Sequence, residues 1–201
     1  MAGLAAYNWW IVVPLQPGLL RSPNEVFSNL EVTGRPFAAA LQLADLLSGL
    51  LMLGAFLLVG GRSVRRGRRD WLSLVTFAVA VALGGFFAET CADSINAACR
   101  RREETFQLPA SQYLHIAASL VEFGAITLAL VIAVARTRGQ RTRVAVSYRV
   151  LAWGAAAGYP LLGLSYLVSR SSAVVEAAFF TGFTVLVVTQ LAERTSRRSA
   201  A

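Results

Sequence analysis

The sequence predicts an all-α, polytopic transmembrane bundle of six helices with both termini on the cytoplasmic side. Three observations carry that expectation. Hydrophobic residues make up 56% of the 201 positions and charged ones 15%, against about 25% charged in an ordinary globular domain. The apolar residues gather into six segments near the roughly 20 residues that a spanning helix needs. None of the six shows the strict alternation of a membrane β-barrel strand. Six crossings and short loops use the whole length, so residues 1–201 are read as a single integral membrane domain.

The first segment, about 4–20 (LAAYNWWIVVPLQPGLL), is the weakest, because Asn8, Pro14 and Pro17 interrupt it. No Arg or Lys precedes it and no small-residue cleavage site follows before Arg21, so it is expected to be a retained helix rather than a signal peptide. A re-entrant or interfacial piece, leaving five helices, is the alternative. The second and third segments, about 37–60 and 71–90, are long and clear. The fourth runs over about 112–135. The fifth, about 147–168, contains Pro160 and is expected to kink there. The sixth spans about 172–192 and stops before Glu193.

Arginine placement orients the chain. All the basic residues are Arg, and 13 of the 19 fall on one side: Arg62, Arg65, Arg66, Arg68, Arg69, Arg136, Arg138, Arg141, Arg143, Arg149, Arg194, Arg197 and Arg198. Arg21, Arg35, Arg100, Arg101, Arg102 and Arg170 fall on the other. The richer side is expected to be cytoplasmic. A net charge of +8 suggests nucleic acid in a soluble protein. Here the arginines adjoin apolar segments, so anionic lipid headgroups are the expected partner and nucleic acid is not. Arg-only basic usage with abundant Ala, Leu, Val and Gly fits a bacterial cytoplasmic membrane protein. Trp9, Trp10 and Trp71 are expected in a cytoplasmic aromatic belt.

Cys91 and Cys99 share the second outer loop, where disulfides form and persist. Closing that short loop is worth about 2–3 kcal/mol in the chain-entropy model. A metal or redox pair is the rival, without CxxC spacing or a neighbouring His to support it.

Two stretches carry a family likeness. FSNLEVTGRPFAAALQLADLLSGLLML and, later, CADSINAACRRREETFQLPASQYLHIAASLVEF together resemble the bacterial domain-of-unknown-function 998 family of six-helix membrane proteins. The carrying features are the loop before the second helix, Asp45 within that helix, the paired cysteines, and His115 followed four residues on by Ser119. Glu89-Thr90 departs from the pattern, which leads one to expect an uncharged residue before Cys91. The resemblance implies the fold and leaves function open.

Polar residues inside apolar segments mark the candidate site. Charges at bilayer depth are costly, so they turn inward, pair or neutralise. His115, Ser119 and Glu122 share one face of the fourth helix, Glu89 and Asp93 are four apart at the end of the third, and Asp45 and Ser48 sit three apart in the second. Counting 1.5 Å per residue, Glu122 lies roughly 15 Å deep and Asp45 about 12 Å. Arg100, Arg101 and Arg102 are placed to fold over the mouth. Four uses are open: a polar knot locking helices together, an outward-facing pocket for a lipid headgroup or envelope component, a lipid-modifying hydrolase or transferase using His115 and the carboxylates, and proton-coupled transport. The polar knot is the structural expectation; the leading functional one is a non-enzymatic protein that binds or senses lipid or envelope material, with the enzyme its rival. One His is short of common zinc-site ligation, so no metal or cofactor is expected. Gly154 and Gly158 form a GxxxG expected to pack within the bundle. Glu176 is expected to snorkel or to pair with Arg170.

Overall fold

The computed structural model describes residues 2–15, 18–22, 25–64, 69–168 and 172–199; Pro17, Arg65, Arg66, Arg68 and Arg170 lie outside them. The described chain is all-helical. In order it comprises α1 (Ala2–Tyr7), two 3-10 turns (Trp9–Leu15 and Phe27–Glu31), α2 (Ala38–Val64), α3 (Arg69–Phe86), α4 (Ala97–Glu104), α5 (Ala110–Arg136), α6 (Arg143–Val168) and α7 (Ser172–Ser199). Among the described residues, Ala38–Leu58 and Ala110–Arg136 are long and apolar enough to cross a membrane, with mean hydropathies of 1.9 and 2.2. Trp71–Phe86 and Glu176–Gln190 are apolar but shorter.

The first predicted span is corrected. Residues 4–20 do not make one helix: α1 stops at Tyr7 and a 3-10 turn follows. Asn8 explains the stop. Its side-chain amide takes the Leu4 carbonyl at 2.7 Å, competing with the backbone ladder as Asn commonly does. Ile11 N–H then bonds the Asn8 carbonyl three residues back, and Pro14 has no N–H to restore an α-helix. This segment packs beside the middle of α2, where Ser48 Oγ donates to the Gly3 carbonyl at 2.9 Å.

Two glycines set the tightest helix contact. A Cβ on Gly49 would sit 2.4 Å from Ala82 N, and one on Gly85 would sit 2.4 Å from Leu46 N. The backbones of antiparallel α2 and α3 therefore touch, as small residues permit. α5 brings Ala125, Ala129 and Ala133, one turn apart, into the core beside Phe77, Ala78 and Val81. α7 closes the bundle with Phe179, Phe183 and Leu186. In α6, Gly158 lies against the Phe179 ring while Gly154 faces open space, so only half of the GxxxG packs inside. The outward surfaces are apolar: Leu58 is 89% exposed and Trp153 77%.

One end of the bundle is capped by polar structure. Thr33 N–H bonds the Glu89 carbonyl at 3.1 Å, joining the loop before α2 to the loop after α3. The Cys91–Cys99 disulfide forms as expected. Asn96 caps α4, its Oδ1 accepting from the N–H groups of Ala98 and Cys99, as N-cap Asn does.

Candidate functional site

Beneath this cap lies a cavity of about 600 Å³, bounded by α1, both 3-10 turns, α2, α3, α5 and α7. Its walls contain Tyr7, Trp9, Phe27, Phe123 and Phe180 together with Val81, Ile116 and Leu120. Into it face seven carboxyl residues: Glu31, Asp45, Glu89, Asp93, Glu103, Glu122 and Glu176. The whole chain has 11 Asp and Glu, so most of its acid converges on one space. His115 is the basic side chain among the described lining residues.

Six of the seven acids are held by a neutral donor. Tyr7 Oη donates to Glu122 Oε1 at 2.7 Å, and Trp9 Nε1 to Asp45 Oδ1 at 2.7 Å. The Phe27 backbone N–H donates to Glu176. Asn29 is the hub of the loop wall. Its Nδ2 reaches Glu89 Oε2 at 2.9 Å and Asp93 Oδ1 at 3.5 Å, and its Oδ1 accepts from Ser94 Oγ. Gln112 Nε2 donates to Glu103 Oε2 at 3.2 Å. Glu31 lies close enough to Asp45 to feel its charge, and its Oε2 is buried without a donor.

His115 is fixed from both sides. Its Nδ1 lies 3.0 Å from the Gly84 carbonyl and 2.9 Å from that of Phe87. Both partners are acceptors, so Nδ1 carries the proton. Nε2 lies 3.3 Å from Glu89 Oε1, close enough for an ion pair but not aligned as a hydrogen bond. Ser119 Oγ bonds the His115 carbonyl at 3.2 Å. That bond is to the backbone, so it does not make a nucleophile–base pair with the imidazole.

Burial dominates the electrostatics of the cap. Glu31 is held well above the ordinary carboxylate range, first by burial and then by the charge of Asp45. Asp93 is raised by burial and partly drawn back by its hydrogen bond from Asn29. Glu103 is pushed up to about 7, by burial first and the Asp93 charge next. The arginines nearby are engaged elsewhere. Arg35 pairs with Glu25 at 2.6 Å and also holds the Leu19 carbonyl. Arg100 donates to the carbonyls of Asp93 and Ser94 at 3.3 Å, so it fastens the cap, and its charge draws the Asp93 carboxyl partly back down. Arg101 and Arg102 are exposed.

Six of the seven predicted residues meet here: Asp45, Glu89, Asp93, His115, Ser119 and Glu122 all line the cavity. Ser48 is buried against Gly3 instead. Glu89 and Asp93 do meet, but α3 ends at Phe86, so the loop and Asn29 bring them together rather than a shared helical face. Glu176 neither snorkels nor stands at a rim; it is buried beneath the Phe27 amide. Trp9 and Trp10 are not in a belt at the opposite end but pack on Phe27 beside the cavity. Trp71 donates to the Phe56 carbonyl at 2.8 Å. Tyr7, Asn29, Glu31 and Glu103 were not foreseen. For Glu31, the signal available was an acid amid Phe27, Leu30 and Val32 in a loop otherwise rich in turn formers.

No curated protein and no solved structure matches the chain. A family model described as a protein of unknown function, DUF998, matches residues 1–193, which agrees with the likeness seen in the loop before α2, the paired cysteines and the start of α5. The chain belongs to the DUF998 family.

Proposed function

We propose that this is a multi-pass protein of the bacterial cytoplasmic membrane that binds a lipid or another envelope amphiphile, without catalysis, in a cavity opening toward the exterior. The observation that carries the reading is the cavity itself. About 600 Å³ falls within the range of ligand sites, and its walls join an aromatic, apolar side to a set of carboxyls. An amphiphile has the same two halves. The exposed leucines of α2 and α5 and the outward Trp153 suit contact with acyl chains. The arginine imbalance favours an exterior position for the disulfide-bearing cap, and a Cys91–Cys99 bridge would persist there.

The hydrolase reading is weaker. Ser119 Oγ is engaged by the His115 backbone carbonyl and not by its ring.

The test is mass spectrometry of lipid retained by the full-length protein after purification in mild detergent. Wild type is expected to keep stoichiometric lipid, and Glu122→Leu to lose it while still eluting as a folded species. Glu122→Leu protein that is more thermostable and equally lipid-loaded would count against the pocket. Labelling of single cysteines introduced at residues 61–69 checks orientation, with protection from impermeant reagents in whole cells the expected result.

A further inference from the structure

We infer that the occupant of this cavity is an organic cation, an amine joined to an apolar body. The inference rests on the amphiphile-binding reading above and specifies its charge.

The first argument is balance. Seven carboxyl residues and one imidazole line the space, and the engaged guanidiniums of Arg35 and Arg100 satisfy Glu25 and backbone carbonyls instead. The donors supplied by the protein to Glu122, Asp45, Glu176 and Glu89 are a phenol, an indole, an amide N–H and a carboxamide. All four are neutral. His115, 3.3 Å from Glu89, and the charge of Arg100 near Asp93 answer two of the seven acids, and an acid cluster with so few cationic partners is costly unless protonated or neutralised by something that enters.

The second argument is an unfilled acceptor. Glu31 is 2% exposed and its Oε2, on the cavity wall, has no donor. Buried carboxylate oxygens are normally hydrogen-bonded, and an ammonium brings three N–H donors. The third is the aromatic wall. Trp9, Phe27 and Phe180 stand beside the acids, offering aromatic faces to a cation and apolar surface to its body.

The same arrangement predicts how binding couples to protons. With Glu31 and Asp93 raised by burial and Glu103 near 7, the empty site carries protons that an ammonium drives off. The charges facing Glu103 are Asp93, Glu89 and Glu104, and Gln112 is its donor. Entry of the amine therefore releases protons to solvent, and affinity rises with pH through about 7.

The experiment is thermal unfolding and titration calorimetry on the full chain in detergent, with three matched probes: dodecylamine, dodecanol and dodecyl phosphate. Dodecylamine is expected to bind at least tenfold more tightly than dodecanol and to release protons, read as a heat that changes with buffer ionisation enthalpy. Dodecyl phosphate is expected not to bind. Glu31→Gln and Glu122→Gln, both isosteric, should each weaken dodecylamine several-fold, while the exposed Glu104→Gln should not. Equal binding of dodecanol and dodecylamine overturns the cationic assignment and leaves the amphiphile pocket standing. Failure of every probe overturns both. Nanodiscs of phosphatidylethanolamine against phosphatidylglycerol distinguish the source. Protection only in the former supports a lipid amine headgroup, and protection by dodecylamine with neither lipid supports a free amine.

Discussion

Substituting Gly85 by alanine tests whether the α2–α3 contact positions the cavity. The new methyl carbon would lie 2.4 Å from Leu46 N, 2.5 Å from Gln42 O and 3.0 Å from Asp45 C. All three are backbone atoms that cannot rotate away. Reaching ordinary contact at 3.4 Å requires the helices to part by about 1 Å, and a gap of that order forfeits a quarter to a half of each dispersion contact along the seam. Overpacking of this kind costs about 1–3 kcal/mol, offset by up to about 1 kcal/mol from alanine's better helix propensity. The net loss of about 1–2 kcal/mol corresponds to a fall in Tm of roughly 2–8 °C for a chain of this size. The same shift carries Asp45 off the Trp9 indole, whose hydrogen bond is 2.7 Å, so the tryptophan emission should change too. Thermal unfolding in detergent, with Gly54→Ala and Gly124→Ala as controls facing open space, is the assay. Wild-type Tm and unchanged emission in Gly85→Ala would refute the claim that the glycine seam sets the site.

Three further outcomes are expected. Tyr7→Phe removes the donor to Glu122 and should cost about 1–3 kcal/mol, the penalty for a buried polar group left unsatisfied; a double-mutant cycle with Glu122→Gln should show coupling, and strict additivity of the Tm shifts would speak against the bond. Cys91→Ser/Cys99→Ser removes the cap's cross-link and should lower stability by about 2–3 kcal/mol on chain-entropy grounds, a fall that dithiothreitol should reproduce in wild type and not in the variant. Glu31, Asp93 and Glu103 have raised folded-state pKa values, so the folded protein holds more protons than the unfolded chain; the stability they contribute is full below the unfolded value and is lost as pH rises through the folded one. The empty protein should therefore have a higher Tm at pH 5 than at pH 8, and Glu103→Gln should flatten the part of that slope near pH 7.

Apolar length made the long helices legible, because α2 and α5 are long and apolar beyond ambiguity. The helical spacing of His115, Ser119 and Glu122 likewise puts three lining residues on one face. What escaped was long-range or local competition. Nothing near Tyr7 in sequence indicates Glu122, 115 residues away. Asn29 organises Glu89, Asp93 and Ser94 from a loop some 60 residues distant. Glu176 is expected to snorkel or to pair with Arg170, yet the Phe27 amide holds its carboxylate inside. The end of α3 was placed four residues late because GFFAET is apolar enough to continue a helix, while tertiary contacts take over: the carbonyls of Gly84 and Phe87 are spent on His115, and that of Glu89 on Thr33.

The broken first segment is what leaves room for a site at all. A continuous helix over residues 4–20 would run about 25 Å at 1.5 Å per residue, a length able to lie between α2 and α7 and fill the space now lined by acids. Instead α1 halts after one and a half turns, wedging the Tyr7 ring edge-on among Phe77, Phe180 and Phe183 at centroid distances of 5.2–5.3 Å. The turn that follows swings Trp9 back to Asp45 and Trp10 onto Phe27. Tyr7 thereby forms the floor of the cavity and Trp9 one wall, each giving its polar tip to an acid on a different helix. The residues that spoil the predicted span, Asn8 and Pro14, are thus the ones that make a hollow where a packed core would otherwise be. Replacing Asn8 by leucine removes its side-chain bonds to the Leu4 carbonyl and Thr184. It should raise helicity while reducing whatever ligand binding the wild type shows. A variant with unaltered binding would place the origin of the cavity elsewhere.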